Sequence, residues 1–465
     1  MSRRMSWSAP LLVGATFGAL STLATVGDSD LYWHLAQGRQ TLAEGLARLD
    51  RFSWTVNGAP VLTDQWLGQV AWYGAYAAWG WHGIVLLRAV LVMAIVALVV
   101  AAALSVHARP FVAVLAALPA IALTRFSWTE RPELMGLACF AALLLIVRLA
   151  EERPRVLLGA PFLLLLWANL HGSFALGLVV VAIVCGELAL RRGDARALAL
   201  GVVFASVVAT LVTPSGPAIW TSAGGHFLAP PRVIQEEGVP DVTEPYGLVF
   251  AFVIAAVLVT SLLSRPAPLR EAALLIPLFF VSLTAARHTP FFAVASAPYL
   301  AAHAPDAIAA IARRLRVPLP SLGLPTAVPG MRIDLATGIL GIVAVIAAAA
   351  LARAEPDLRS YPVAALESLP KGTGLLNEYD WGGFLIWYAP ATPVFVDGRL
   401  FPYLPGVLDD YRAIVGLRPE WQSVIARRDV RALLLRPAAP VAVRARELGW
   451  RVVSSSTGYV LLARP

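Results

Sequence analysis

The chain has 465 residues, of which 58% are hydrophobic and 14% charged. Soluble domains run at roughly 45–50% apolar and about 25% charged, so the composition excludes an ordinary water-soluble globule and points to a bilayer. The net charge of +8 comes largely from arginines in short loops between apolar runs, which is explained by membrane topology rather than by nucleic-acid binding.

In chain order, apolar runs fall at 8–26, 83–104, 111–124, 133–150, 156–170, 173–190, 197–213, 247–264, 271–285, 288–304 and 334–353. A span needs about 17–25 residues, so these predict about 10–11 transmembrane helices. The first run could pass for a signal peptide; no small-x-small cleavage site follows it, and it reads as a retained helix. With Arg3 and Arg4 inside, the basic clusters Arg109, Arg148/Arg153/Arg155, Arg191/Arg192/Arg196, Arg265/Arg270 and Arg313/Arg314/Arg316 all fall on that same side. The opposite loops mix acids, arginines, histidines and aromatics. Cys139 and Cys185 lie inside apolar runs and make no metal spacing or disulfide framework.

The expected architecture is a polytopic α-helical membrane module, 1–353, whose first outer loop is 27–82, followed by a small α/β domain, 354–465, on the outer side. In the tail, TGLLNEY, TPVFVDGR, VRALLL, WRVVSS and GYVLLAR read as strands, and PEWQSVIARRD and AVRARELG as helices. The sequence has neither a dinucleotide-binding glycine fingerprint nor a P-loop.

The first outer loop opens with VGDSDLYWHLAQGR. Wound as a helix, 31–46 puts Leu31, Leu35, Leu42 and Leu46 on one face and His34, Gln37, Gln40 and Glu44 on the other. That pattern predicts an interfacial helix with Tyr32 and Trp33 at headgroup level. Asp28 and Asp30 precede it. One can cap the helix and complement its dipole; the other is a candidate general base or cation ligand.

The remaining candidates each have a plainer reading. Asp64 is a helix cap or a site residue. Arg125 and Arg131 flank Trp128 and Glu130; Arg131 either pairs with Glu130 or Glu133 or binds a phosphate through its guanidinium fork. Asn169 and His171 are interhelical glue or functional groups at depth. Glu236, Glu237 and Asp241 are solvated loop charges or substrate contacts. Arg287, beside His288, snorkels or holds phosphate.

On these residues the chain resembles the GT-C superfamily of membrane glycosyltransferases, in which an acidic motif follows the first transmembrane helix. More narrowly it resembles a group of bacterial multi-span proteins. The motifs that carry this are DSDLYWHLAQGR, DQWLG, ERPE, NLHGSF, RHTPFF and GGFLIWYAPATPVFVDGR, which together span nearly the whole chain. Tyr32 stands where the group more often has Trp, and Gln65 where it has His-Glu, so position 65 is not read as a proton carrier. The resemblance implies a polyprenyl-phosphate-linked sugar donor, an acceptor glycan, lipid or protein, and inverting transfer at the outer face of a bacterial-type cytoplasmic membrane. Asp28 and Asp30 would be the catalytic acids, with a divalent cation as an optional cofactor. Arg131 and Arg287 would hold the lipid phosphate. His34, Asp64, Arg125, Asn169, His171, Glu236 and His288 complete the candidate substrate-binding set. A transporter or flippase for a lipid-linked sugar, and a non-catalytic scaffold of the same fold, are the alternatives. VDGR in the tail reads as a Gly turn closed by an Asp–Arg bridge.

Overall fold

The computed structural model describes residues 6–106, 109–228, 238–318 and 331–465. It divides into two compact units: Met1–Ala24 with His82–Ala354, and Thr25–Trp81 with Glu355–Pro465. The first loop therefore folds with the tail, although some 270 residues separate them in sequence.

The helices of the first unit are α1 (Ser8–Ser21), the distal part of α3 (Trp66–Val106), α4 (Pro110–Thr124), α5 (Pro132–Leu149), α6 (Gly159–Leu170), α7 (Phe174–Arg191), α8 (Arg196–Leu211), α9 (Ala218–Leu228), α10 (Pro245–Leu263), α11 (Leu269–Ser282), α12 (Thr289–Leu315) and α13 (Met331–Leu351). Each of the eleven apolar runs is helical; α9 is additional. Proline opens α4, α5, α10 and α12, where its missing N–H costs nothing. Among the described residues, seven helices are long and apolar enough to cross a membrane. Two shorter apolar helices, Ser8–Ser21 and Pro154–Leu170, together with α11 and α12, which carry internal prolines, account for the other expected spans. Phe162, Leu190, Phe204 and Leu262 are each more than 70% exposed, on helices apolar nearly all round, so lipid is the medium that covers them. The chain is a polytopic α-helical membrane protein.

Helix α3 departs from helical geometry at Trp79 (φ −148°) and Gly80 (φ 57°). Glycine accepts that positive φ without a Cβ clash, and the kink falls where the chain passes from one unit to the other.

The second unit holds α2 (Leu31–Glu44), the proximal part of α3, and a four-stranded sheet of β1 (Leu375–Asn377), β2 (Ala432–Leu435), β3 (Arg451–Ser455) and β4 (Val460–Ala463). The strand order is β1-β2-β4-β3; β1 and β2 are parallel and the other pairs antiparallel. Helices α14 (Gly382–Tyr388), α15 (Gly406–Val415), α16 (Trp421–Arg427) and α17 (Pro440–Glu447) complete it.

Two expectations are corrected here. TPVFVDGR is not a strand of the sheet. Its one ladder contact is a parallel bridge of Val394 with Ser53 of the first loop, because Pro393 has no N–H to offer and Asn377 takes the next polar groups. The helix at 31–46 is also not an interfacial one with a wet polar face. His34 and Gln37 are buried and Leu42 is exposed. Tyr32 and Trp33 lie in a core with Trp381, Phe384, Leu434 and Leu461, where Tyr32 meets Tyr361 and Phe384 edge to face. The helix packs on α14, so protein and not headgroups covers its aromatics.

Candidate functional site

The two aspartates of the first loop have separate geometry. Asp28 Oδ1 accepts the Asp30 N–H at 2.9 Å, and the Asp28 carbonyl accepts the Leu31 N–H at 3.3 Å. Asp28 thus closes the turn that starts α2, the organising role of a capping residue. Asp30 occupies the N-cap position itself, yet its side chain makes no cap bond. Both residues are partly exposed. Burial, followed by the negative charges of Asp28, Asp380 and Asp30, pushes the Tyr361 phenol well above its ordinary pKa, so a protonated hydroxyl shares their field.

The tail supplies the wall of this site. A Cβ built on Gly398 would fall on the Asp30 carboxylate and 3.2 Å from Trp33 Nε1. Gly398 is held between Asp397 and Arg399 in a buried ionic cluster. Asp397 Oδ1 accepts from the Arg399 backbone N–H (2.9 Å) and Nε (2.8 Å), and Oδ2 from Arg399 Nη2 (2.6 Å). Tyr403 donates its hydroxyl to Asp397 Oδ2 and accepts from Arg399 Nη2 at 2.9 Å. Arg399 Nη1 also bonds Asp50, whose other oxygen accepts from Ser53 N (3.0 Å) and Oγ (2.7 Å). Burial alone would lower the Arg399 pKa, but Asp397, Tyr403 and Asp50 outweigh it and hold it well above its ordinary value. Burial, with the two carboxylates, likewise keeps Tyr403 protonated. The VDGR bridge forms as the sequence suggests, and it joins the first loop to the tail.

The remaining candidates of the second unit are His34 and Asp64. His34 is buried, its ring centroid 3.6 Å from that of Trp33 with the planes tilted by 34°, and its Nδ1 lies 3.4 Å from Gln69 Nε2. Asp64 is partly exposed just before α3.

In the first unit, the other candidates gather at one end of the helix bundle. Arg131 is the N-cap of α5, and Gly136, one turn on, lies against His171 and Ser173. His171 Nδ1 is 2.9 Å from Ser173 Oγ, which also accepts Trp167 Nε1 at 3.0 Å. Asn169 donates to the Leu165 and Val212 carbonyls at 2.9 and 3.0 Å, the helix-joining role of a buried amide. Arg125 is exposed on the turn that ends α4; the next residue, Phe126, meets Tyr246 at the start of α10, 5.7 Å between ring centroids. The Ala286 N–H bonds the Gly238 carbonyl at 2.8 Å, so the 238–244 loop meets the turn carrying Arg287 and His288. His288 is buried with Nδ1 3.1 Å from Thr284 Oγ1; Arg287 is partly exposed. Glu236 and Glu237 lie outside the described residues.

Glu130 pairs with Arg88 of α3, both side chains at most 3% exposed. Arg88 Nη2 also donates to the Ser21 and Ala24 carbonyls at 3.0 and 2.6 Å. The end of α1 is thereby tied to α3 and to the loop before α5.

Sequence reasoning overlooked Asp50, Tyr361, Tyr403 and Arg88. Asp50, Tyr361 and Arg88 meet partners from distant segments, which no spacing records, whereas Tyr403 bonds Asp397 and Arg399 only six and four residues away. As for a cation, no group of three or more His, Cys, Asp or Glu side chains among the described residues is arranged to hold a metal.

Among solved structures, the chain is similar to the archaeal oligosaccharyltransferase AglB from Archaeoglobus fulgidus, in complex with an inhibitory peptide and a dolichol-phosphate. The TM-score is 0.59 at 12% identity, over 92% of this chain and 69% of that one. It is also similar to ArnT from Cupriavidus metallidurans bound to undecaprenyl phosphate, with a TM-score of 0.52 at 13% identity over 98% and 97% of the two chains. The apo state of that protein matches at 0.52 and 14% identity over 97% of each chain. No family model matches the chain, and no curated protein sequence does. The chain shares the fold of these solved structures.

Proposed function

We propose that this membrane protein transfers a sugar from a polyprenyl-phosphate-linked donor to an acceptor hydroxyl at the outer membrane face, with Asp30 as general base. The observation that carries the reading is the division of labour between Asp28 and Asp30. Asp28 closes the turn, while Asp30 stands at the N-terminus of α2 without capping it, in a fold whose solved examples hold dolichol-phosphate or undecaprenyl phosphate.

The reaction needs little beyond these groups. The acceptor oxygen attacks C1 and its proton passes to the Asp30 carboxylate. The C1–O bond to phosphate breaks, its electron pair leaving on the polyprenyl phosphate. A single displacement inverts C1. Charge building on the leaving phosphate calls for fixed cations, and Arg131 and Arg287, both partly exposed, are the groups we assign to it. Arg125, His171, His288 and Asp64 complete the assigned set, while His34 and Asn169 act by holding helices.

The test is release of polyprenyl phosphate by the purified protein from a panel of polyprenyl-phosphate sugars. Asp30→Asn is expected to abolish turnover, and Asp28→Asn, which keeps an acceptor oxygen for the turn, to retain most of it. Turnover indifferent to Asp30→Asn removes the base from the reading. Movement of the lipid-linked sugar between leaflets without bond cleavage replaces the enzyme with a transporter.

A further inference from the structure

We propose that Gly398 is a positioning residue for Asp30, and that the tail segment 394–399 is clamped so that its glycine sets the direction of that carboxylate. The inference rests on the reading of Asp30 as the base.

The geometry leaves one group able to yield. A Cβ at position 398 would overlap Asp30 Oδ1 and come 3.2 Å from Trp33 Nε1, a tight contact that leaves the carboxylate as the group that must move. The segment itself is held from three sides. The Val394 N–H donates to Phe52 O at 3.0 Å, and the Trp54 N–H to Val394 O at 3.0 Å. Thr55 Oγ1 donates to Phe395 O at 2.6 Å. The fully buried Asn377 donates to Val396 O at 2.9 Å and accepts from Phe395 N at 2.8 Å. Beyond the glycine, the Asp397–Arg399–Asp50–Tyr403 cluster fixes the turn.

The opposing backbone is equally confined. A Cβ on Gly383 would come 2.6 Å from Ser29 O, so α14 is seated against the DSD turn. Trp33 lies in the aromatic core. Between two fixed backbones, the Asp30 carboxylate is the flexible end. A methyl at 398 should therefore turn it through its side-chain torsions while the fold persists. The absence of a side chain at 398 is what permits the observed orientation.

Gly398→Ala in the full-length protein tests this, by a cryo-EM structure and by turnover with the polyprenyl-phosphate sugar that the wild type accepts. The expected structure has 394–399 in place and the Asp30 carboxylate rotated away. The expected kinetics are a kcat lower by at least about tenfold, with KM for the lipid donor within about twofold, and a displaced acid limb of the kcat–pH profile, since the base has changed surroundings. An unmoved carboxylate with a displaced 394–399 segment overturns the proposal. So does unchanged kcat, or a lower kcat with the acid limb in place.

Asp30→Asn, assayed beside it, separates the two ideas. If Asp30→Asn turns over normally, the base assignment fails, whatever Gly398 does. If Asp30→Asn is dead while Gly398→Ala is fully active, only the positioning role fails. Should Gly398→Ala not accumulate, Arg399→Lys keeps the charge but loses the fork that fixes the turn. It should lower kcat in the same direction at constant KM, and a wild-type kcat there would overturn the proposal.

Discussion

Arg399→Met removes the one cation that faces two buried carboxylates. Arg399 is 6% exposed, and the Asp50 and Asp397 side chains are 0% exposed. The Arg399 guanidinium gives Asp397 a two-pronged pair and Asp50 a single bond. Methionine fills a similar volume, so the lost term is electrostatic. Breaking a buried pair by removing one partner costs about 3–5 kcal/mol, and two stranded carboxylates put the expected cost at the upper end. For a unit of this size each kcal/mol lowers the melting temperature by about 2–4 °C, so about 10–20 °C is expected for the unit containing the first loop and tail. Tryptophan fluorescence of the detergent-solubilised protein reads it, because Trp33, Trp54 and Trp381 all lie in that unit. A further result fixes the cause. The neutral triple variant Asp50→Asn/Asp397→Asn/Arg399→Met should recover much of the loss. A single variant melting within about 2 °C of wild type, or a triple variant no more stable than Arg399→Met, refutes the electrostatic account of this clasp.

Three further outcomes are expected. Asp28→Ala, which removes the acceptor that closes the α2 turn, should cost about 0.5–2 kcal/mol of stability, with Asp28→Asn costing less; equal costs in thermal melts would count against the cap role. Glu130→Gln removes the carboxylate that pairs with the buried Arg88 guanidinium and should destabilise the membrane unit by about 3–5 kcal/mol. In a melt, the double variant Arg88→Met/Glu130→Gln should be the more stable of the two, and the reverse order would contradict the pairing. Tyr361 has its pKa raised by burial and by nearby acids, so its neutral form persists above the pH at which an ordinary tyrosine ionises. Tyr361→Phe should therefore leave the alkaline side of the kcat–pH profile up to about pH 9 unchanged; a limb that vanishes in the variant would show that the phenol titrates there.

The parts of this molecule that were legible in the sequence are those set by local periodicity and composition. Eleven apolar runs became eleven helices because length and apolarity decide helix formation in lipid without help from partners. The strands VRALLL, WRVVSS and GYVLLAR each lie over one of β2, β3 and β4, short runs rich in apolar or β-branched residues. What was not legible is pairing over long separations. A leucine stripe at 31–46 looks like a membrane face, but the same helix turns His34, Gln37, Tyr32 and Trp33 into protein because the tail, more than 300 residues on, supplies Trp381 and Phe384 to meet it.

The motif DSDLYWHLAQGR can now be read residue by residue, and most of it is packing. Tyr32 and Trp33 fill the core. Gly38 allows contact with the start of α3, since a Cβ there would strike the Gln69 carbonyl. Arg39 lies over the Trp387 ring at 4.5 Å, a cation–π contact that ties α2 to α14. Asp28 closes the turn. VDGR and the glycine pair of GGFLIW, remote in sequence, press on the same turn through Gly398 and Gly383. A turn closed by Asp28 and pressed by two segments remote in sequence makes physical sense if it carries something that must not move. The one side chain of DSD that meets the Gly398 wall is the Asp30 carboxylate. That convergence, more than the presence of two acids after a transmembrane helix, is the reason to seek the chemistry at Asp30.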